Sequence, residues 1–192
     1  MAESKYSLII LAGGESRRMG RDKADLDCHG RTFLEMQLEK GAALGIQDVL
    51  VSGYRGERKD VRVVPDQMGG KGPLGGLETC LRLAKHQKCL VLSVDMPLIP
   101  VEELEGLLAA NRASGSRITI LKCGGREQPL AGVYDTSLAD AMLREITERK
   151  GSVFGFLNAA GYTVYKASAS AERCANINTP ESYRTALKLT QQ

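Results

Sequence analysis

At 192 residues, with 43% apolar and 26% charged side chains and a net charge of +3, the sequence has the composition of a folded protein with a sizeable core. The excess charge is spread along the chain, which argues against a basic tail made for nucleic acid or a membrane surface. No apolar run approaches the roughly 18 residues that span a bilayer, and five cysteines with no C-x-x-C spacing support neither a disulfide framework nor a zinc site, so the chain reads as one cytoplasmic domain over residues 1–192.

Strand-like and helix-like segments alternate along the chain. The first strand is predicted at "YSLIILA" (6–12), and Leu34 and Leu38 one turn apart mark a helix behind it. Strands follow at "DVLVSG" (48–53) and "VRVVP" (61–65), then a helix carrying Leu77, Leu81 and Ala84. "CLVLSV" (89–94) is almost continuously apolar, as suits a strand buried on both faces. Pro100, Glu102 and Glu103 open a helix that continues through Leu104, Leu107 and Leu108. Strands at "RITILK" (117–122) and "LAGVY" (130–134) precede a short helix bracketed by Ser152 and Gly161. A strand at "YTVYKA" (162–167) and a helix opened by Thr179-Pro180-Glu181 complete the pattern. Because each parallel crossover needs a helix to return the chain, this order predicts a three-layer α/β/α fold with a mostly parallel, Rossmann-like sheet. Ligands in such sheets bind beyond the carboxyl ends of the strands, which selects the segment after Ala12, then Ser52, Asp66 and Asp95.

The segment "LAGGESRRMGRDKA" (11–24) leaves the first strand where phosphate-binding turns lie. Its spacing is neither that of a P-loop nor the dinucleotide fingerprint G-x-G-x-x-G. Its glycines let backbone N–H groups approach an anion closely, and Arg17, Arg18 and Lys23 supply charge; a glycine turn with solvated arginines is the plainer alternative. Asp95 ends the strand in "SVDMPLIP" and suits a Mg²⁺ ligand, since that ion takes one or two carboxylates and completes its shell with phosphate and water; a turn or helix-capping aspartate is the other reading. "DQMGGKGPLGG" (66–76) is a glycine-rich loop feeding a helix that starts near Gly76, able to lie against a base and ribose or to serve as a linker. The pair Cys28 and His29, with no further ligand in view, reads as structural or surface. His86, like His29, is read as a packing or surface residue.

Together these pieces resemble the molybdenum cofactor guanylyltransferases (the molybdopterin-guanine dinucleotide biosynthesis protein A family), within the nucleotidyltransferases of the nucleotide-diphospho-sugar transferase fold. The opening motif matches L-A-G-G-x-S-x-R-M-G-x-D-K-A, and "GPLGG", "DMPLIP", "QPLAGVY" and "NINTPES" follow in the expected order from Leu11 to Ser182.

The resemblance implies that the phosphate of molybdopterin attacks the α-phosphorus of GTP, releasing pyrophosphate and leaving a guanine dinucleotide cofactor. It implies that Leu11, Ala12 and Gly13 offer backbone to the nucleotide, that Gly14 begins the phosphate loop, and that Arg17 and Lys23 neutralise the triphosphate. Asp66 would touch the nucleoside, Gly75 and Gly76 would admit the base, and Asp95 would hold Mg²⁺; Arg17, Lys23 and Asp95 are thus the expected catalytic residues. Asn176, Asn178 and Gln128 would face molybdopterin. Ser52 stands where some relatives carry an asparagine that contacts the nucleoside. GTP and molybdopterin are the implied small-molecule partners, with metal-insertion or molybdoenzyme-maturation proteins behind them and no nucleic acid or membrane. Attack by one phosphate on another needs positioning and charge neutralisation rather than a covalent nucleophile, in keeping with these residue types. A cytidylyltransferase of the same cofactor, a nucleotidyltransferase for another phosphorylated acceptor and a non-catalytic GTP-binding protein are the alternatives.

Overall fold

The computed structural model describes residues 5–13, 22–65, 72–149 and 151–190. Within them, the apolar runs form β1 (Tyr6–Leu11), β2 (Asp48–Ser52), β3 (Arg62–Val64), β4 (Lys88–Ser93), β5 (Ile118–Cys123), β6 (Arg126–Asp135) and β7 (Thr163–Lys166). These pair into one sheet of order β3-β2-β1-β4-β6-β5-β7. The pairs β3–β2, β2–β1, β1–β4 and β5–β7 are parallel, whereas β6 runs antiparallel to both β4 and β5.

Helices cover both faces, as the alternation along β1 requires. Leu8 and Ile10 pack into one core with α1 (Phe33–Ala43), α3 (Val101–Ser114) and α6 (Pro180–Leu189). Ile9 and Leu11 pack into the other, with α2 (Pro73–Leu83), α4 (Ala139–Arg144) and α5 (Val153–Ala160). A fully buried leucine contributes roughly 1.5–3 kcal/mol, against about 0–1 kcal/mol for an exposed ion pair, so these two layers rather than surface charge hold the fold. No described helix is long and apolar enough to cross a membrane.

The helix starts follow local chemistry. Thr32 and Glu35 form a reciprocal capping box at α1, Ser152 accepts from Gly155 N at 3.0 Å at α5, and Thr179 caps α6 ahead of Pro180. α2 begins at Pro73, not near Gly76, because proline in the first turn lacks only an N–H that would have no helical partner there. Gly75 and Gly76 therefore lie inside the helix and are buried.

The mostly parallel sheet expected is found, with β6 as its antiparallel strand: the segments predicted at 117–122 and 130–134 belong to a hairpin, β5–β6, whose turn, Gly124 and Gly125, has φ of 56° and 79°. A Gly-Gly pair between strand-like runs is the signal for such a turn, since both central residues need positive φ. Cys123 and Cys174 are disulfide-linked across a separation of 51 residues, while Cys28, Cys80 and Cys89 remain free and buried. This corrects the expectation, drawn from five cysteines without C-x-x-C spacing, that no disulfide forms: the pair arises by spatial approach of the β5 end to the turn at 171–174, of which spacing alone carries no trace.

Candidate functional site

The carboxyl ends of β1, β2 and β4 are tied together by backbone. Val94 N donates to Leu11 O at 3.0 Å, Ala12 N and Gly13 N both donate to Ser52 O at 2.9 and 3.0 Å, and Gly53 N donates to Val64 O at 3.0 Å. Along the backbone expected to meet a nucleotide, the N–H groups of Ala12 and Gly13 are thus engaged within the chain. Gly53 sits at φ +73°, and a Cβ on it would come within 2.6 Å of Gly13 Cα. The two loops touch through bare backbone, which only glycine permits.

Lys23 begins a 3-10 turn (Lys23–Asp25) beyond β1. Asp22 caps it by accepting from Ala24 N at 3.1 Å, and Tyr54 O–H donates to Asp25 Oδ1 at 3.0 Å. Burial, with the Asp25 carboxylate beside it, raises the Tyr54 phenol above its ordinary range, so it acts as a donor. From this turn Lys23 Nζ reaches Asp95 Oδ2 at 3.1 Å and also donates to Asn178 Oδ1. Ser93 Oγ donates to Asp95 Oδ1 at 2.6 Å, and Ile177 N donates to Asp95 O at 2.8 Å. Three segments far apart in sequence therefore converge at one point. The Lys23 and Asp95 side chains keep 22% and 16% of their surface exposed, enough to meet a ligand yet partly shielded, where charges act more strongly than in open water.

Asn178 is delivered by α6. Tyr183 O–H donates to Asp27 O, the rings of Phe33 and Tyr183 meet edge to face at 6.0 Å, and His29 Nε2 lies 2.8 Å from Leu187 O. Cys28 Sγ lies 3.3 Å from Thr190 Oγ1, so Cys28 and His29 dock α6.

The remaining expected residues divide. Ser52 is buried, and the space left by Gly76 is filled by it: a Cβ on Gly76 would lie 2.4 Å from Ser52 Oγ. That glycine brings α2 close to β2 rather than opening room for a base. Gln128 is half-buried on β6, just before a register shift. Because Ala131 of β6 pairs with Leu92 near the end of β4, the antiparallel direction carries Gln128 beyond the carboxyl end of β4, toward the Asp95 side. Asn176 is exposed two residues before Asn178. Gly14, Arg17, Arg18, Arg21 and Asp66 lie outside the described residues. Ser93 and Tyr54 had no motif to announce them; each is recognised only by what it touches.

The donor set also bears on a metal. Among the described residues no group of three or more His, Cys, Asp or Glu could hold an ion by itself. Asp95, at a strand end and partly exposed, is a single carboxylate of the kind that shares Mg²⁺ with phosphate oxygens and water. The residues thus fit an ion arriving with a triphosphate rather than a protein cage.

A family profile described as the MobA-like NTP transferase domain matches residues 8–160. The chain is 33% identical over 181 residues to the molybdenum cofactor guanylyltransferase of Pseudomonas paraeruginosa, spanning 91% of each. Its fold superposes with a TM-score of 0.79 on the molybdopterin-guanine dinucleotide biosynthesis protein A of Archaeoglobus fulgidus, at 25% identity and covering 96% of this chain and 98% of the other. A 2-C-methyl-D-erythritol 4-phosphate cytidylyltransferase from Thermus thermophilus shares the architecture, with a TM-score of 0.73 at 21% identity, over 98% of this chain and 100% of the other. The architecture is the nucleotide-diphospho-sugar transferase fold.

Proposed function

The chain belongs to the MobA-like NTP transferases and, among them, to the molybdenum cofactor guanylyltransferase family; from that premise we propose that it transfers GMP from GTP to the phosphate of molybdopterin or its molybdenum form. A phosphate oxygen of the acceptor bonds to the α-phosphorus of GTP, the bond from that phosphorus to the bridging oxygen breaks, and pyrophosphate leaves. No proton need be removed from an ionised phosphate nucleophile, so no general base is required.

The observation that supports this reading is the junction of Lys23, Asp95 and Asn178 at the carboxyl ends of β1 and β4. Lys23 is placed to offset the negative charge that gathers on the triphosphate as the bond to the leaving pyrophosphate breaks. Asp95 would hold Mg²⁺, which when bound draws charge from the phosphate oxygens. Asn178 stands on the other side of Lys23 and, with Asn176 and Gln128, would orient the acceptor. Arg17, Gly14 and Asp66 are assigned by their motifs to the triphosphate and nucleoside, and Leu11, Ala12 and Gly13 to the backbone that meets the nucleotide; Gly75 and Gly76, which the resemblance gave to the base, and Ser52 would instead support the wall behind it, since all three are buried and Ser52 fills the space at Gly76. The chain would work as one nucleotidyltransferase domain in the cytoplasm, passing its product to molybdoenzyme maturation.

Incubation with molybdopterin, Mg²⁺ and each nucleoside triphosphate in turn, followed by separation of products, tests the assignment. A guanine dinucleotide from GTP is expected; product from CTP alone, or from a sugar phosphate in place of molybdopterin, would replace it.

A further inference from the structure

The buried face of α1 carries two polar side chains where a hydrophobic stripe would be ordinary. Gln37 is fully buried and Lys40 nearly so. Among the described residues their hydrogen bonds run to the segment that presents Asp95 and to one another. Gln37 Nε2 donates to Ser93 O at 2.7 Å and to Met96 O at 3.1 Å, while Lys40 Nζ donates to Pro97 O at 2.6 Å and to Gln37 Oε1 at 2.9 Å. The helix below them has no slack, since a Cβ at Gly41 would lie 2.6 Å from Leu8 Cδ2 of β1.

We propose that Gln37 and Lys40 are positioning residues that lock the 93–97 loop onto α1 and so fix where the Asp95 carboxylate meets Lys23 and a metal-bound triphosphate. The role in nucleotide transfer rests on the assignment of Asp95 made above. Burying an ammonium and an amide is costly unless their hydrogen bonds are made. Leucine or methionine would fill the same volume without that cost, but would leave the carbonyls of Ser93, Met96 and Pro97 without these donors in a buried interface. The donors match the acceptors on offer, for both amide hydrogens of Gln37 go to the loop and its oxygen is held by Lys40. Ser93 passes the constraint on, because its carbonyl is gripped by Gln37 while its hydroxyl grips Asp95 Oδ1. A line of contacts thus runs Lys40, Gln37, Ser93, Asp95, Lys23, Asn178 from the core to the site.

Lys40→Met and Gln37→Leu test it, with Gln37→Glu as a variant that keeps the volume and can pair with Lys40 but has no donor for Ser93 or Met96. Leu34→Ala serves as a destabilised reference in the same helix. Hydrogen exchange of the full chain without metal or nucleotide is expected to quicken about tenfold or more at the amides of residues 94–96, with β1 and β4 peptides unchanged. Calorimetry of Mn²⁺ with GTP is expected to show half-saturation shifted in the direction of Asp95→Ala, while Leu34→Ala shifts neither reading. Unchanged exchange at 94–96 in Gln37→Glu and Lys40→Met overturns the clamp. So does an unshifted metal half-saturation in those variants when Asp95→Ala shifts it. If Asp95→Ala itself leaves metal binding intact, the metal assignment fails separately, and exchange alone sustains or overturns the positioning of the loop.

Discussion

Lys23 Nζ and Asp95 Oδ2 stand 3.1 Å apart although 72 residues separate them in the chain. The pair joins the turn beyond β1 to the loop beyond β4, and Asn178, two residues before α6, completes it. Under the proposed function, Lys23 would turn from this pair to the triphosphate and Asp95 would be the carboxylate that holds Mg²⁺, so the pair joins the two groups on which the charge balance would rest.

Asp95→Ala and Lys23→Met should each lower kcat/KM for GTP by roughly 10²-fold or more, the scale on which groups that stabilise transition-state charge act. Stability should change little, since a partly exposed ion pair is worth about 0–1 kcal/mol. Steady-state kinetics beside thermal melting separates the two. The double variant should cost less than the product of the single losses, because both groups serve one charge balance.

Gly53→Ala should be more damaging than Gly45→Ala. Both glycines have positive φ, +73° and +68°, but only Gly53 faces another backbone: its Cβ would meet Gly13 Cα at 2.6 Å, whereas Gly45 has nothing within 4 Å. Gly45→Ala should therefore cost about 1 kcal/mol, from backbone strain alone. Gly53→Ala should cost about 2–3 kcal/mol and should also weaken GTP binding by moving the β1 loop. Denaturant melts of the two variants make the comparison.

Lys40 gives the stability a definite pH dependence. Burial, opposed in part by Glu39, lowers its ammonium from 10.5 to about 7. Between those values the unfolded chain holds a proton that the folded chain has lost, so the unfolded state binds more protons and stability rises with pH across this window. Below about 7 both states are protonated, and the cost of the buried charge is present in full. In Lys40→Met this contribution, of the order of a few kcal/mol, should vanish from the difference between melts at pH 7 and pH 10.

Reduction of Cys123–Cys174 by a dithiol should lower stability by about 2–4 kcal/mol, the usual worth of a cross-link closing a loop of this size. Cys174→Ser should show the same loss and no further response to the reductant. Equal melting with and without dithiol in the wild type would remove the cross-link from the account.

Local structure was largely legible in the residues themselves. Ser152, Gly161 and Thr179-Pro180 announce helix ends because capping depends on neighbours within a few positions. The strand at 89–94 declares itself because burial on both faces leaves no room for polar alternation. The ordered motifs likewise identify the family, since each is a short contiguous run.

What only the tertiary structure decided depends on residues that never meet in sequence. The direction of β6, the Cys123–Cys174 link and the filling of Gly76 by Ser52 all arise where distant parts of the chain meet, by strand pairing, by a turn reaching the end of β5, and by α2 packing on β2. So does the burial of the two polar residues beneath the Asp95 loop: no motif marks Gln37 and Lys40, and only the packing of α1 on the sheet turns them inward. A hydrophobic pattern states that one face of a helix is buried. Which carbonyls await that face is fixed by the rest of the chain.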